Sequence, residues 1–158
     1  MKKILKLSIL LLGALFVLLG CSSEAKSEFV FEHNMGKQKI TYVYDKSKDS
    51  VTSLTFDISY DIANNKDMET QIRNMRESIV TEINGIEGVT VTQSDSEKEL
   101  KVTVAVDLKK FKYDDEEGRQ KAPSLYSSIH AALVKKNDIH SFEESKKSIL
   151  KEGFKEVK

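Results

Sequence analysis

Leu100, Val102, Val104, Val106 and Leu108 hold every second position of one unbroken run, with Lys101, Thr103, Ala105 and Asp107 between them. Successive side chains of a strand point to opposite faces, so this spacing puts all five large apolar groups on one side of a sheet. The same period recurs upstream. Leu54, Phe56, Ile58 and Tyr60 alternate with Thr55, Asp57 and Ser59, and Ile40, Tyr42 and Tyr44 alternate with Thr41 and Val43. Phe29 and Phe31 begin the pattern, and Val89 and Val91 repeat it between threonines. Alternation this clean belongs to an antiparallel sheet with one dry and one wet face, whereas strands buried on both faces read as continuous apolar runs. Asn34-Met35-Gly36 and the polar run Asp45–Ser50 supply turns, so the first three strands read as a meander.

From Asp67 the period changes. Met68, Ile72, Met75, Ile79 and Ile83 form one apolar stripe at helical spacing, with Asn65 or Asp67 as candidate caps and Gly85 as the stop. Pro123 opens a second candidate helix with Leu125, Ile129, Ala132 and Leu133 on one face. A third begins at the capping box Ser141-Phe142-Glu143-Glu144 and ends at Gly153-Phe154. Lys109 to Lys121 is charged and poorly periodic. The expected fold is α+β: an antiparallel β-sheet of about five strands with helices packed on one face.

The N-terminus has a different character. Lys2, Lys3 and Lys6 precede an apolar stretch from Ile4 to Leu19, which spans about 24 Å as a helix against a hydrocarbon core of about 30 Å. A secretory signal fits that length better than a membrane span. The stretch ends in Leu18-Leu19-Gly20-Cys21, and Cys21 is the single cysteine among 158 residues. This arrangement resembles a bacterial lipobox, in which the cysteine thiol receives diacylglycerol and becomes the new N-terminus. The expected organisation is a lipoprotein signal peptide over 1–20, lipidated Cys21 with a polar tether through residue 28, and one domain over 29–158. Two or more acyl chains hold a protein stably on a membrane where one holds it marginally, so the expected partner is the membrane, through lipid on Cys21, at the extracytoplasmic face of the cell membrane.

Net charge is zero over the whole chain, but removing Lys2, Lys3 and Lys6 from the 25 basic residues leaves 22 against 25 acidic, or −3. Nucleic-acid binding is driven by clustered cations that neutralise phosphates, and no nucleic-acid partner is expected here. Catalytic chemistry finds no constellation. Ser148-Ile149-Leu150-Lys151 and Ser23-Glu24-Ala25-Lys26 both match S-x-x-K, without the S-D-N and K-T-G elements that give the pattern meaning. His33, His130 and His140 are the only imidazoles, and the acidic tract Asp114–Glu117 lacks the alternating ligand spacing of a calcium loop. Neither a metal, a cofactor nor a catalytic residue is expected. Residues 109–140, with Phe111, Tyr113, Tyr126, His130 and His140, form the longest weakly periodic connection and are the first place to look for a binding surface.

Several segments taken together resemble the YehR-like family of small bacterial lipoproteins. They are the lipobox at Cys21, Phe29-Val30-Phe31-Glu32, Ile40-Thr41-Tyr42-Val43-Tyr44, the helix running into Gly85-Ile86-Glu87-Gly88-Val89-Thr90, and the ending Ser145–Phe154. The match extends over nearly all of the chain after Cys21 and is weakest over Lys109–Ser128. It implies a lipid-anchored extracytoplasmic α+β domain and assigns no residue a role except lipid attachment at Cys21. The functional expectation is a non-catalytic module that binds a small ligand or an envelope component; the alternative is an accessory subunit of a cell-surface complex.

Overall fold

The computed structural model describes residues 23–158, and the alternating runs form the strands of one sheet. Strands β1 (Glu24–His33), β2 (Gly36–Asp45) and β3 (Ser50–Asp61) make the antiparallel meander. Gly36 makes the first turn possible: its φ is +148°, and a Cβ there would stand 1.9 Å from the Ser59 carbonyl oxygen. Helix α1 (Glu69–Ile83) then crosses the sheet to strand β4 (Val89–Asp95), which returns as β5 (Glu99–Asp107). Because β5 is antiparallel to both β3 and β4, those two run in the same direction, and the crossover through α1 leaves β5 its place between them.

Three short strands complete an eight-stranded sheet whose main path runs β4-β5-β3-β2-β1-β8. The α+β class stands, and the expected five strands become eight. Strands β6 (Val134–Lys136), β7 (Ile139–Ser141) and β8 (Lys155–Glu156) are too short to show alternation. The visible trace of the β6–β7 hairpin is its two-residue loop Asn137-Asp138, where both residues have positive φ (50° and 62°). Two left-handed residues in succession form the tight turn that matches strand twist. The expected tether is also shorter: Glu24–Glu28 pair with Thr41–Asp45 as part of β1. Ala25 and Ser27 alternate there on the inner face of the sheet, a pattern hidden by their small size.

Helices α2 (Glu116–Lys121), α3 (Pro123–Ala132) and α4 (Phe142–Lys151) follow the sheet. Leu125, Tyr126 and Ile129 of α3 and Phe142 and Ile149 of α4 pack with Phe29, Ile40, Tyr42, Leu54 and the Val102–Val106 row in one apolar core. Each large side chain so buried contributes about 1.5–3 kcal/mol before chain entropy is counted. Half of the expected capping box forms at α4: Ser141 Oγ accepts from the Glu144 amide at 3.2 Å, while the Glu144 carboxylate turns to Lys147 at 3.0 Å. At its other end Gly153 turns left-handed (φ +94°), which lets Phe154 fold back against Phe31 at 5.5 Å between ring centroids. Among the described residues every buried apolar side chain lies between Phe29 and Ile149, so the domain from Ser23 onward closes its own core.

Two expectations for α1 need correction. Neither Asn65 nor Asp67 caps it; Asn65 instead donates its amide to the Asp61 carbonyl at 2.7 Å, within the turn before the helix. Met75 is 39% exposed and Arg76 takes its place inside at 5%. Helix faces rotate about 100° per residue, so 75 and 76 compete for one edge of the stripe, and the guanidinium wins by reaching Asp95 on β4. Its Nε is buried without a hydrogen-bond partner, while Arg73 still holds Asp95 at 3.1 Å. Arg76→Met is therefore expected to leave stability unchanged or raise it, within about 1 kcal/mol, because a long apolar chain replaces a half-satisfied cation. Urea unfolding of the two proteins checks this.

Candidate functional site

Cys21 lies outside the described residues. The remaining singled-out residues have structural roles. Ser23 gives its hydroxyl to the Asp45 carboxylate, away from Lys26. Ser148 and Lys151 sit on α4 with no hydrogen bond between them. His33 Nδ1 accepts from the Met35 amide at 3.3 Å in the β1–β2 turn. In the acidic tract, Asp115 caps α2 by accepting from the Glu117 amide, and Asp114 pairs with Lys135. Among the described residues no group of three or more His, Cys, Asp or Glu side chains is arranged to hold a metal ion.

The segment 109–140 is built mainly as mortar. Phe111 and Tyr126 are buried with ring centroids 4.9 Å apart. The Tyr113 ring lies 4.3 Å from that of His130 and 4.5 Å from that of His140, so the fold gathers two imidazoles that helical geometry alone would separate. Burial holds His140 below the usual imidazole range, helped by Lys135 and opposed by Asp114. The face of α3 that carries Ser124, Ser128 and Ala131 borders open space of a different kind.

That open space is an apolar cleft of about 260 Å³ between the sheet and the helices. Its floor is the centre of the inner sheet face, where Phe56 and Ile58 of β3 are only half-buried. Their strand neighbours are sealed: Leu54 is 0% and Tyr60 5% exposed. Ile79 and Ile83 of α1 form one wall, and Ile149 of α4 with Phe154 forms the other. The third side is α3, which brings Leu125 and Ala132 from its core face and Ser124, Ser128 and Ala131 from the adjoining face. The last three, at i, i+4 and i+7, fall on one helix face, and none has a side chain long enough to reach the floor. Small residues there hold the cleft open. The rim is polar: Gln38, Ser128 and Glu152 are exposed, and Glu82 stands at the start of α3 with Oε1 accepting from the Ser124 amide at 2.7 Å. An apolar hollow with a few polar groups at its mouth is the usual form of a small-molecule site, and an engineered apolar cavity of about 150 Å³ already takes benzene.

Periodicity missed this site because it reports which face a side chain occupies, and not whether anything covers it. The available signal was the run of small residues at helical spacing after Pro123, read against the large residues expected on a core-facing helix.

The outer sheet face is uncovered and polar. Asp57 at its centre accepts from the Thr103 hydroxyl at 2.6 Å and pairs with Lys39 at 3.2 Å and Lys101 at 3.5 Å. Burial pushes the Asp57 carboxyl up, but Thr103 and the two ammonium groups outweigh it and hold it below the usual range. A carboxyl depressed by folding stabilises the native state above its unfolded value, and that contribution is lost as pH falls through the folded one. Asp57→Asn is expected to make the decline of stability below about pH 4 shallower. Thermal midpoints of both proteins between neutral and acid pH test it; parallel curves would contradict the assignment.

The architecture matches known structures. The NMR structure of the E. coli YehR protein superposes with a TM-score of 0.66, covering 89% of this chain and 94% of that one at 20% identity. The domain has a YehR-like fold. An NMR structure of a protein from Streptococcus pneumoniae shares the same architecture at a TM-score of 0.56, with 14% identity and 85% of each chain covered. No protein-family model and no curated protein matches the sequence. At these identities the YehR likeness is one of fold, and the chemistry of the cleft has to be read from this chain's own residues. Among the described residues of the YehR-like domain no helix is long and apolar enough to cross a membrane.

Proposed function

We propose that the protein is a lipid-anchored, non-catalytic binding module of the extracytoplasmic face, whose apolar cleft takes the hydrocarbon part of a small ligand. The observation that carries the reading is the half-buried floor at Phe56 and Ile58, between the sealed Leu54 and Tyr60 at the centre of the sheet. A gap of about 260 Å³ on the dry face of a sheet forfeits dispersion contacts that a packed interior would make, and an apolar ligand restores them. The cleft is also remote from the residue that would carry the anchor. The cleft floor at Ile40 and the rim at Gln38 pair with Phe29 and Phe31 of β1. At about 3.3 Å per residue, they stand roughly 20–26 Å along the strand from Ser23. Most of the length of β1 thus lies between the cleft and Ser23, the described residue nearest Cys21.

The test is native mass spectrometry of the domain purified from its own cells, wild type against Ser128→Trp. Position 128 is exposed on α3, so the indole is expected to plug the mouth without disturbing the core. A retained small molecule present in the wild type and absent from the variant supports the reading; identical spectra with a retained molecule in both place it elsewhere. For the anchor, Cys21→Ala is expected to move the protein from the membrane to the soluble fraction.

One observation favours the accessory-subunit alternative. Strand β4 forms a sheet edge, Val89–Asp95, with no lysine, proline or register shift to discourage pairing. An extended segment of an envelope protein could add to it as a further strand. In-cell crosslinks that map to β4 and vanish in Thr92→Lys would support that role.

A further inference from the structure

The rim of the cleft carries charge of one sign, and its geometry says which headgroup it admits. Glu82 and Glu152 both line the mouth. Glu82 uses Oε1 to accept from the Ser124 and Leu125 amides, at 2.7 and 3.4 Å, and these bonds fix the carboxylate at the lip. Among the described residues neither glutamate enters an ion pair, whereas Glu144 pairs with Lys147, Glu156 with Lys146 and Glu87 with Lys112. Lys39 is the one cationic residue lining the cleft, and its ammonium is on the opposite sheet face, held by Asp57 at 3.2 Å and Glu28 at 3.8 Å. Lys151 and Lys155 flank the Glu152–Phe154 lip in sequence without lining the cleft.

We infer that the cleft selects amphiphiles with a cationic head over those with an anionic one, the apolar chain lying on Phe56 and Ile58 and the head meeting Glu82 and Glu152. The inference rests on the cleft being the ligand site. Two carboxylates at the mouth of a low-dielectric hollow attract a cation and repel a carboxylate or phosphate, and neither effect needs a hydrogen bond of defined geometry. Fatty acids and anionic phospholipids, which would suit the apolar floor, are disfavoured at the rim.

The experiment compares three probes with one tail: heptyltrimethylammonium, heptyl glucoside and octanoate, each below its micelle concentration, titrated by calorimetry into the domain 23–158. The cationic probe is expected to bind about tenfold tighter than octanoate in low salt, a gap that two partly exposed carboxylates can supply. The gap is expected to shrink in high salt, where a Debye length of about 3 Å at 1 M screens the rim. It is also expected to close in Glu82→Gln/Glu152→Gln, since glutamine at 82 keeps an acceptor for the α3 amides. Equal binding of all three probes, or a preference for octanoate, overturns the headgroup inference and leaves the cleft intact as a site. Failure of every probe to bind, or binding unaltered by Ser128→Trp, overturns the cleft reading and the inference with it.

Discussion

Tyr42→Ala is expected to destabilise the domain by about 3–5 kcal/mol, the range for removing a large buried aromatic side chain. Tyr42 is fully buried on β2, at the point where sheet, α3 and α4 meet. Its ring meets Phe29 and Phe142 edge-on, each at 5.7 Å, an arrangement that contributes beyond simple area. Its hydroxyl donates to the Ala132 carbonyl at 2.7 Å, at the end of α3. Burial pushes the phenol well above its ordinary range, so it stays a donor at any pH the protein meets. That bond ties the small-residue wall of the cleft to the sheet floor. Tyr42→Phe isolates it and is expected to cost about 1–3 kcal/mol, because the Ala132 carbonyl is left buried without its partner. Urea unfolding should show a lower midpoint with an unchanged slope for both variants. A loss below about 1 kcal/mol for the alanine form would contradict the packing described here.

Asp49 carries the second large effect, through backbone and side chain together. It sits in the β2–β3 turn with φ at +52°. Its carboxylate accepts from the Ser141 hydroxyl and, at 2.9 Å, from the Glu143 amide, while its carbonyl accepts from the Phe142 amide at 3.1 Å. A turn between two strands thus caps the helix that forms one wall of the cleft. Losing the cap and the favourable charge at the helix N-terminus costs about 1–2 kcal/mol. Alanine in a left-handed conformation adds about 1–2 kcal/mol more. The expected order of damage is Asp49→Ala, near 3 kcal/mol in all on those same scales, then Asp49→Gly, then Asp49→Asn. Glycine as harmful as alanine would refute the backbone contribution, and three equal small losses would refute the capping.

Much of this fold is readable in the chain because each element carries its own local signal. Strict alternation at 54–60 and 100–108 identified the sheet rows, and Ser141 with Glu144 and Gly153 marked both ends of α4. What escaped had no local signal. Strands of two or three residues cannot display a period, so β6, β7 and β8 were invisible apart from Asn137-Asp138. Arg76 reads as a surface residue until Asp95, on another element, is within reach. Phe56 and Ile58 carry the same pattern as Leu54 and Tyr60, and the difference between an open floor and a sealed core is decided by which helix face lies above them. For that reason the candidate site emerged from the packing of α1, α3 and α4; the α3 part of 109–140 lines it, and the aromatic and histidine residues of that segment do not.

The most direct test of the cleft uses its own isoleucines. Ile40, Ile58, Ile79, Ile83 and Ile149 line it, whereas Ile62 and Ile72 do not and lie in a second small core with Tyr60 and Leu100, which Ile58 touches from the cleft side. With isoleucine methyl groups labelled in the domain 23–158, octyl glucoside is titrated and the methyl resonances are followed by NMR. Saturable shifts at Ile58, Ile79 and Ile149, with Ile62 and Ile72 unmoved, are the expected result. Unmoved resonances at Ile58 and Ile79, or equal shifts at Ile62 and Ile72, would contradict the assignment of the cleft as a binding site.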